Sequence, residues 1–486
     1  MRLGSDASAR PALRAVAGFA CNQGFVFSLF YMGANEAVPF GPFSFERAEL
    51  FGVLAFMVVA LVALRVLPPK ARAALLAKPL LWCYAALLVV GSTVPALVGG
   101  DAAGLAFESA AVGLPAGLML AAWGRALSTL PPARFAPTVF VASAVGAVVC
   151  FAAATVPVPF APLALNLLPL GSAAALRGFA SEAASKAPSA EAAPREAPSA
   201  EASQLSAKIV AGTVVFGLAA GFMETYSSDP GLPTTPTFPV SLLLFVFFCI
   251  AALQLINDGG EGDARERGPA DRAPQRGEGP LDGVYRLAIL VMMAGFLFVP
   301  VLAGFGVPGE AIVLAGYLGL SAVLVSLFLF MGRITGRGAV PSFARGFAAL
   351  YAGELIGIAL GNALDAVAGG GPTPYAVVAC AGLAALFAYL FLFTERDFSA
   401  LSRIAHDADR FDAACAAIAA AHGLSKREAE LLPLALKGRT GERIAAELFI
   451  SKSTVDTHLR RIYAKCGVHN RQELIDLGER EQGRRG

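Results

Sequence analysis

Charged residues are scarce in this chain, and their scarcity is the first constraint on its fold. Only 15% of the 486 residues are Asp, Glu, Lys or Arg, whereas soluble domains carry about 25%. Hydrophobic residues make up 56%. This composition excludes an ordinary soluble protein and indicates a chain that lies largely in a lipid bilayer. The net charge of +2 also excludes a chain that is basic along its whole length and binds nucleic acid throughout.

Metal-binding and disulfide patterns are missing as well. The four histidines all follow residue 400, and the seven cysteines form no CxxC motif and no paired spacing. These patterns argue against a zinc site and against a disulfide framework. The apolar part also contains no phosphate-binding loop. We therefore expect no metal, no cofactor and no catalytic residues, and we do not expect an enzyme.

Apolar runs long enough to cross a bilayer recur along most of the chain. A bilayer core about 30 Å thick needs roughly 20 apolar residues per helix. Twelve such runs lie at 15–35, 49–67, 79–99, 103–123, 135–156, 159–176, 209–227, 238–256, 287–305, 311–331, 344–364 and 374–393. Because the first run is polar, and because only "PVPF" separates the fifth from the sixth, we expect ten to twelve spans.

The basic residues predict how these spans are oriented. If both termini are cytoplasmic, 21 Lys and Arg residues fall in the N-terminal segment and the cytoplasmic loops, and only Arg47 falls outside. Short cytoplasmic loops collect Lys and Arg in membrane proteins. We therefore expect a multi-pass protein of the cell membrane with its N- and C-termini in the cytoplasm.

Two low-complexity segments divide the apolar part. Residues 177–207 repeat Ala, Pro, Ser and Glu, and residues 257–282 are rich in Gly, Pro and charge, so neither can bury a core. We predict a disordered cytoplasmic linker at 177–207 between a first six-span half, 1–176, and a second six-span half, 208–394, with a flexible loop at 257–282. This 6+6 plan resembles the major facilitator superfamily, but the superfamily's Gly-x-x-x-Asp-Arg motif is missing from "RVLPPKARAALLAK".

A few polar residues interrupt the apolar runs. Glu108 and Glu354 lie well inside their runs, where a carboxylate is costly to keep and often functional. Together with Asn22 and Gln23 they are our candidates for a ligand-binding site. The alternative is that each glutamate is hydrogen-bonded and only joins two helices. Glu224 lies near the end of its run and is expected at the membrane interface.

After residue 394 the apolar pattern ends. Residues 395–422 are Ala-rich with helical periodicity, and we predict a helical connector followed by a separate domain at 423–486. Ser425 and Glu428 have the spacing of a capping box, in which each side chain bonds the other's backbone N–H. Ser451 can cap a further helix, "KSTVDTHLRRIYAKC".

This last helix has two distinct faces. Val455, Leu459, Ile462 and Cys466 form a narrow apolar stripe at helical spacing, and the other side is short, polar and basic. Five Lys or Arg residues against one acid, Asp456, lie between residues 451 and 471. A short helix, a tight turn and a second helix with a basic outer face are typical of a DNA-binding helix-turn-helix.

The segment 424–477, "LSKREAELLPLALKGRTGERIAAELFISKSTVDTHLRRIYAKCGVHNRQELIDL", resembles the DNA-binding domain of LuxR-type transcription regulators. The shared positions are Arg427, Glu428, Leu432, Gly438, Ile444, Ala445, Leu448, Ser451, Thr454, Val455, His458, Ile462, Lys465, Gly467, Val468 and Arg471. The resemblance implies a four-helix domain that binds promoter DNA as a homodimer. Joined to a polytopic half, the chain is similar to membrane-bound LuxR-like regulators of bacteria.

The resemblance also implies which residues contact DNA. Base contacts are expected from Asp456, Thr457 and Arg460. Phosphate contacts are expected from Lys452, Thr454, Arg461 and Lys465, and Ser453 is expected on the same face. The family commonly has Lys where this chain has Asp456. An acid there can accept a hydrogen bond from cytosine N4, so the preferred base can differ.

The predicted fold is thus all-α, a polytopic bundle followed by a cytoplasmic helix-turn-helix domain. Two functions remain open for it. The first is a one-component transcription regulator that senses a small molecule through its bundle. The second is a transporter with a regulatory DNA-binding tail. The expected partners are double-stranded promoter DNA, the lipid bilayer, a small-molecule ligand and a second copy of the chain, with RNA polymerase as a further candidate.

A phosphatase that is active only outside the cytoplasm tests the orientation. From the distribution of basic residues, we expect activity when the reporter is fused after Gly99 and silence when it is fused after Phe393. Immunoblots of the fusions control for expression. The opposite pattern would overturn the assignment of both termini to the cytoplasm.

Overall fold

A computed structural model describes residues 9–31, 38–40, 43–98, 102–130, 134–154, 156, 160–186, 200–226, 237–265, 280–303, 305, 308–334, 338–368 and 375–483. These residues form two compact units, which meet in the chain at residues 400 and 401. We call the described residues up to 400 the membrane unit and those from 401 onward the DNA unit.

The membrane unit is built almost entirely of helices. They are α1 (Ala9–Tyr31), α2 (Ala48–Val66), α3 (Pro69–Leu75), α4 (Lys78–Val98), α5 (Ala102–Leu127), α6 (Phe135–Ala154), α7 (Phe160–Asn166), α8 (Leu168–Lys186), α9 (Ala200–Tyr226), α10 (Thr237–Arg265), α11 (Pro280–Ala303), α12 (Glu310–Ile334), α13 (Ala339–Ala368) and α14 (Tyr375–Phe387). A π-helical turn at Ala388–Leu392 follows α14.

The helices confirm the expected number of spans. Ten helices among the described residues are long and apolar enough to cross a membrane, or eleven if α3 and α4, which meet at 54°, form one bent span. The run predicted at 159–176 is broken at Leu167 between α7 and α8. Pro169 explains the break, because proline has no backbone N–H to continue the hydrogen-bond ladder of α7.

One short sheet departs from the predicted all-α class. β1 (Val38–Phe40) pairs antiparallel with β2 (Phe43–Phe45), so that Val38 lies opposite Phe45 and Phe40 opposite Phe43. The hairpin lies between α1 and α2. It delivers Glu46 and Arg47 into the bundle at the start of α2, where both are buried.

Small residues hold α9 and α13 together. A Cβ added at Gly217 or Gly221 of α9 would overlap the backbone of α13, and one at Gly353 or Gly357 would overlap the backbone of α9. The spacing of four residues on each helix is the small-xxx-small pattern that lets membrane helices approach closely. This contact fixes the backbone of Glu354, since its carbonyl oxygen is the atom that a Cβ on Gly221 would meet.

Helices also cover the ends of the two predicted low-complexity segments. α8 continues to Lys186 and α9 begins at Ala200, within the segment predicted as a linker at 177–207. α10 continues to Arg265 and α11 begins at Pro280, within the loop predicted at 257–282. The remaining parts of both predictions, 187–199 and 266–279, lie outside the described residues.

A long helix, α15 (Glu395–Ala421), follows the last span. Thr394 and Asp397 cap its start reciprocally, with Asp397 N donating to Thr394 Oγ1 at 3.1 Å and Thr394 N donating to Asp397 Oδ2 at 3.2 Å. Lys208 of α9 donates to the same carboxylate at 2.8 Å. Burial opposes ionisation of Asp397, but the hydrogen bonds from Lys208 and Thr394 outweigh it and lower the pKa of the carboxyl.

The first turn of α15 is also packed against α11. The rings of Phe398 and Tyr285 stack with centroids 4.9 Å apart and an interplanar angle of 2°. Ser399 Oγ donates to Asp282 Oδ2 at 2.7 Å. The start of α15 is therefore tied to both α9 and α11 of the membrane unit.

The DNA unit contains α16 (Lys426–Leu436), α17 (Gly441–Leu448), α18 (Lys452–Cys466) and α19 (Arg471–Gly483). The predicted capping box of Ser425 and Glu428 is present. The last turns of α15 contribute Cys415 and Ile418 to the same core. The other buried members of this core are Leu431, Leu432, Ala435, Leu436, Ile444, Ala445, Val455, Leu459, Ile462, Cys466 and Leu474.

Candidate DNA-binding surface and membrane cavity

The helix-turn-helix is formed by α17 and α18. Thr440 caps α17 by accepting a hydrogen bond from Arg443 N, and Ser451 caps α18 by accepting one from Thr454 N at 3.1 Å. Between them, Phe449 has a φ of 54°, in the left-handed region that ends helices. The turn is therefore tight, as the sequence predicts.

The two faces of α18 are arranged as predicted. Val455, Leu459, Ile462 and Cys466 are all buried in the core. The residues expected to meet DNA lie on the opposite face, where Lys452, Ser453, Thr457, Arg460, Arg461 and Lys465 are exposed and Thr454 and Asp456 are half-buried. The surface that they form can approach a phosphate backbone, and each individual DNA contact remains a prediction.

Lys452 has a carboxylate partner in this structure. Its Nζ lies 2.8 Å from Glu442 Oε1 of α17, and both side chains are exposed. The hydrogen bond and the charge of Glu442 raise the pKa of Lys452. Exposed ion pairs contribute little to stability, so a DNA phosphate can compete with Glu442 for this lysine.

Lys465 has a different environment from the other basic residues of α18. Its Nζ lies 2.7 Å from Glu428 Oε2 and donates to the carbonyl oxygen of Gly423 at 3.0 Å. It therefore joins the end of α18 to the capping box that starts α16. Its predicted phosphate contact is compatible with this role, but replacing Lys465 will also disturb the fold.

The pair also makes the domain sensitive to acid. Hydrogen bonds from Lys465 and the backbone of Ser425 lower the pKa of Glu428 to about 2 from a usual value of 4.5. A group whose pKa is lowered in the folded state contributes stability above its unfolded pKa. The contribution of Glu428 to the free energy of unfolding is therefore fully present above about pH 4.5, and it is lost as the pH falls towards 2.

The membrane unit contains a small cavity between its two halves. The lining residues come from α1 and α5 of the first half and from α12 and α13 of the second. They are Gln23, Val26, Phe27, Phe30, Tyr31, Leu120, Tyr317, Leu318, Ser321, Val325, Phe347, Tyr351 and Glu354. The volume of about 30 Å³ holds one or two water molecules.

Two of the four predicted ligand-binding residues meet at this cavity. Glu354 is buried and accepts a hydrogen bond from the hydroxyl of Tyr317 at 2.6 Å, and Gln23 lies on the opposite wall. Asn22 is buried beside Gln23 and donates to its Oε1 at 3.4 Å. Glu108 is buried on α5 but is not among the residues that line the cavity. The structure thus brings together Gln23 and Glu354, but not Glu108.

An ion pair lies next to the cavity, and the sequence did not predict it. Arg47 Nη2 is 3.0 Å from Glu224 Oε2 and also donates to the carbonyl oxygen of Phe30. Both side chains are buried. Glu224 lies close to the end of its span, Gln204–Tyr226, so its expected place at the membrane interface stays a prediction, and its pairing with Arg47 allows the carboxylate to be buried within the protein.

Arg47 is held in place by its neighbours in the chain and by α13. Its φ of 57° is uncommon for a residue other than glycine. Asn362 of α13 binds both backbone groups of Glu46, accepting from N at 2.6 Å and donating to O at 3.2 Å. These bonds fix the turn that directs Arg47 into the bundle.

The sequence contained only a partial signal for this region. Arg47 is the one basic residue outside the predicted cytoplasmic loops, but nothing in the sequence identifies its partner. Tyr351 lies one helical turn before Glu354, so it belongs on the same face of α13. Tyr31 and Tyr317 carried no such signal, because nothing in the sequence places α1 against α12.

Comparison with known proteins identifies the DNA unit. Residues 422–477 match the family described as "Bacterial regulatory proteins, luxR family". The oxygen regulatory protein NreC of Staphylococcus aureus, in strains JH9 and Mu3 alike, is 45% identical over 53 residues, which are 11% of this chain and 24% of NreC. The match thus spans about a quarter of these curated relatives. Residues 422–477 are a LuxR-family DNA-binding domain.

The chain is weakly similar to two solved transporter structures. The human organic anion transporter MFSD10 (TETRAN) is 14% identical with a TM-score of 0.49, covering 79% of this chain and 100% of that chain. The nucleoside transporter NupG is 15% identical with a TM-score of 0.42, covering 80% and 98%. Both likenesses are weak in sequence and in backbone geometry.

Arg460 and Arg461 are both exposed on α18, and the base contact expected of the first and the phosphate contact expected of the second predict different effects when each is replaced. Arg460→Ala in fragment 395–486 should reduce discrimination between DNA sites by about 1–3 kcal/mol, because a base contact is lost. Arg461→Ala should weaken all sites alike and lower the salt slope of binding by about one, because a phosphate contact is lost. Affinities measured by fluorescence anisotropy over a salt series test both.

The control is Arg480→Ala, which removes an exposed positive charge from α19, outside the helix-turn-helix. It should leave both discrimination and salt slope close to those of the native fragment. If Arg460→Ala and Arg461→Ala have the same effect on every site, the assignment of base and phosphate contacts is wrong.

Proposed function

We propose that the chain is a membrane-embedded one-component transcription regulator. Its bundle senses a small molecule, and its LuxR-family domain binds double-stranded promoter DNA as a homodimer and acts on transcription by RNA polymerase. No enzymatic step forms part of this function. Both termini are cytoplasmic, because the DNA is there. The basic residues of alternate loops support this orientation.

The observation that carries this proposal is the continuity of α15. Its first turn is tied to α9 and α11 through Asp397, Phe398 and Ser399. Its last turns supply Cys415 and Ile418 to the core of the DNA unit. Because α15 begins at these contacts and ends in that core, we infer that a rotation or shift of α9 or α11 can be passed along α15 to the DNA-binding domain.

Sensing requires that the ligand distinguish two arrangements of the bundle. A ligand with equal affinity for both arrangements shifts nothing. The cavity lies between the two halves and is lined by both of them. A molecule that binds there therefore changes the relation of the halves, which include the helices that hold α15.

A transporter with a DNA-binding tail is the second function. The same buried Glu354 supports it, because carboxylates at this depth also mark substrate paths. Uptake by proteoliposomes that contain the purified chain separates the two functions. Saturable uptake that is unaffected by removal of residues 401–486 would favour the transporter.

The insertion of residues into α15 tests the proposed coupling. Two alanines inserted after Ala405 rotate the remainder of the helix by about 200°, whereas seven leave its phase within about 20°. The reporter is a promoter with a DNA site that fragment 395–486 selects from a random pool. We expect the two-residue insertion to change reporter output in cells and the seven-residue insertion to return it towards the native value.

Protein levels measured by immunoblot, and DNA binding by the matching fragments, are the controls. Native output from both insertions would mean that α15 is a passive tether, and the proposed route of coupling would then be rejected.

A further inference from the structure

We infer that the cavity between the two halves binds a hydrophobic organic cation, such as a lipophilic amine, ammonium or phosphonium ion. This inference deepens the proposed sensing function, on which it rests, by naming the chemical class of the ligand. It depends on three features of the cavity, namely its rings, its single carboxylate and its position between the two halves.

The first feature is the set of aromatic rings that line the cavity. Phe27, Phe30 and Tyr31 of α1 line the cavity together with Tyr317 of α12 and Phe347 and Tyr351 of α13. The faces of aromatic rings carry partial negative charge and attract cations, and the attraction strengthens where water is excluded. Six rings around one cavity can thus surround an organic cation with both apolar and electrostatic contacts.

The second feature, the charge of the lining residues, also favours a cation. Glu354 is the one acidic residue, and no basic residue occurs, among the lining residues that the structure describes. The nearby Arg47 is already engaged by Glu224 at 3.0 Å. A buried carboxylate is stable when it keeps its proton or when a positive charge approaches it. An organic cation supplies that charge, whereas an anion would face Glu354 without a positive partner.

The size of the cavity indicates how such a ligand enters. A volume of about 30 Å³ is far below the roughly 300–1,000 Å³ of organic ligand sites. The ligand can therefore fit only if α1 and α5 separate from α12 and α13. Because the structure has the closed arrangement, the cation must favour a more open one, and this difference is what a sensor needs.

Tetraphenylphosphonium is a suitable probe, because tetraphenylborate has the same shape and the opposite charge. Equilibrium binding of radiolabelled tetraphenylphosphonium is measured on the full chain in detergent. We expect saturable binding, binding at least about tenfold weaker for Glu354→Gln, and no saturable binding of radiolabelled tetraphenylborate in a separate titration without the cation. Asp365→Asn, a change of charge on the same helix but outside the cavity, should bind as the native chain does.

Tyr351→Leu provides a second variant that keeps the carboxylate and removes one ring. It should also weaken binding, and the melting temperature of each variant without the probe shows that the bundle is intact. Absence of saturable binding to the native chain, equal binding by Glu354→Gln, or saturable binding of tetraphenylborate on its own would each overturn the cation site. DNA binding by fragment 395–486 is independent of all three results, so a failure here is distinguishable from a failure of the regulator function.

Discussion

The need to match buried charge inside an apolar bundle is the constraint on which the membrane unit depends. An unpaired buried charge is costly, and Arg47 reaches Glu224 at 3.0 Å from a turn that Asn362 fixes through the backbone of Glu46. Burying a pair contributes little net stability, but losing one partner leaves the other uncompensated. The pair therefore holds α2 to α9 across the two halves and leaves Glu354 as the carboxylate of the adjacent cavity.

The packing of α9 indicates how a local rearrangement at the cavity can reach α15. Glycines bring α9 against the backbone of Glu354, and α9 also supplies Lys208, which holds the cap of α15. One helix, α9, thus contacts both the backbone of a residue that lines the cavity and the start of α15. In the DNA unit, the ion pair between Lys465 and Glu428 joins α18 to α16. The DNA-binding face is therefore built on a rigid unit.

Much of this could be predicted from local sequence. The apolar runs, the caps at Ser425 and Ser451 and the stripe from Val455 to Cys466 follow from periodicity and short-range spacing, and the structure has them, apart from the run at 159–176, which is broken. That break was not predicted, although Pro169 is a local sequence signal for it. The cavity and the Arg47–Glu224 pair could not be predicted, because they depend on which helices become neighbours, and hydropathy contains no such information.

The central claim is that the state of the bundle determines how tightly the chain binds DNA. It is tested most directly by the affinity of the full chain in lipid nanodiscs for its selected DNA site, with and without saturating tetraphenylphosphonium. We predict a change of about tenfold, or 1.4 kcal/mol, for the native chain and none for Glu354→Gln or for fragment 395–486. By linkage, DNA must change the affinity for the cation by the same factor. Equal DNA affinities with and without bound cation would contradict the account.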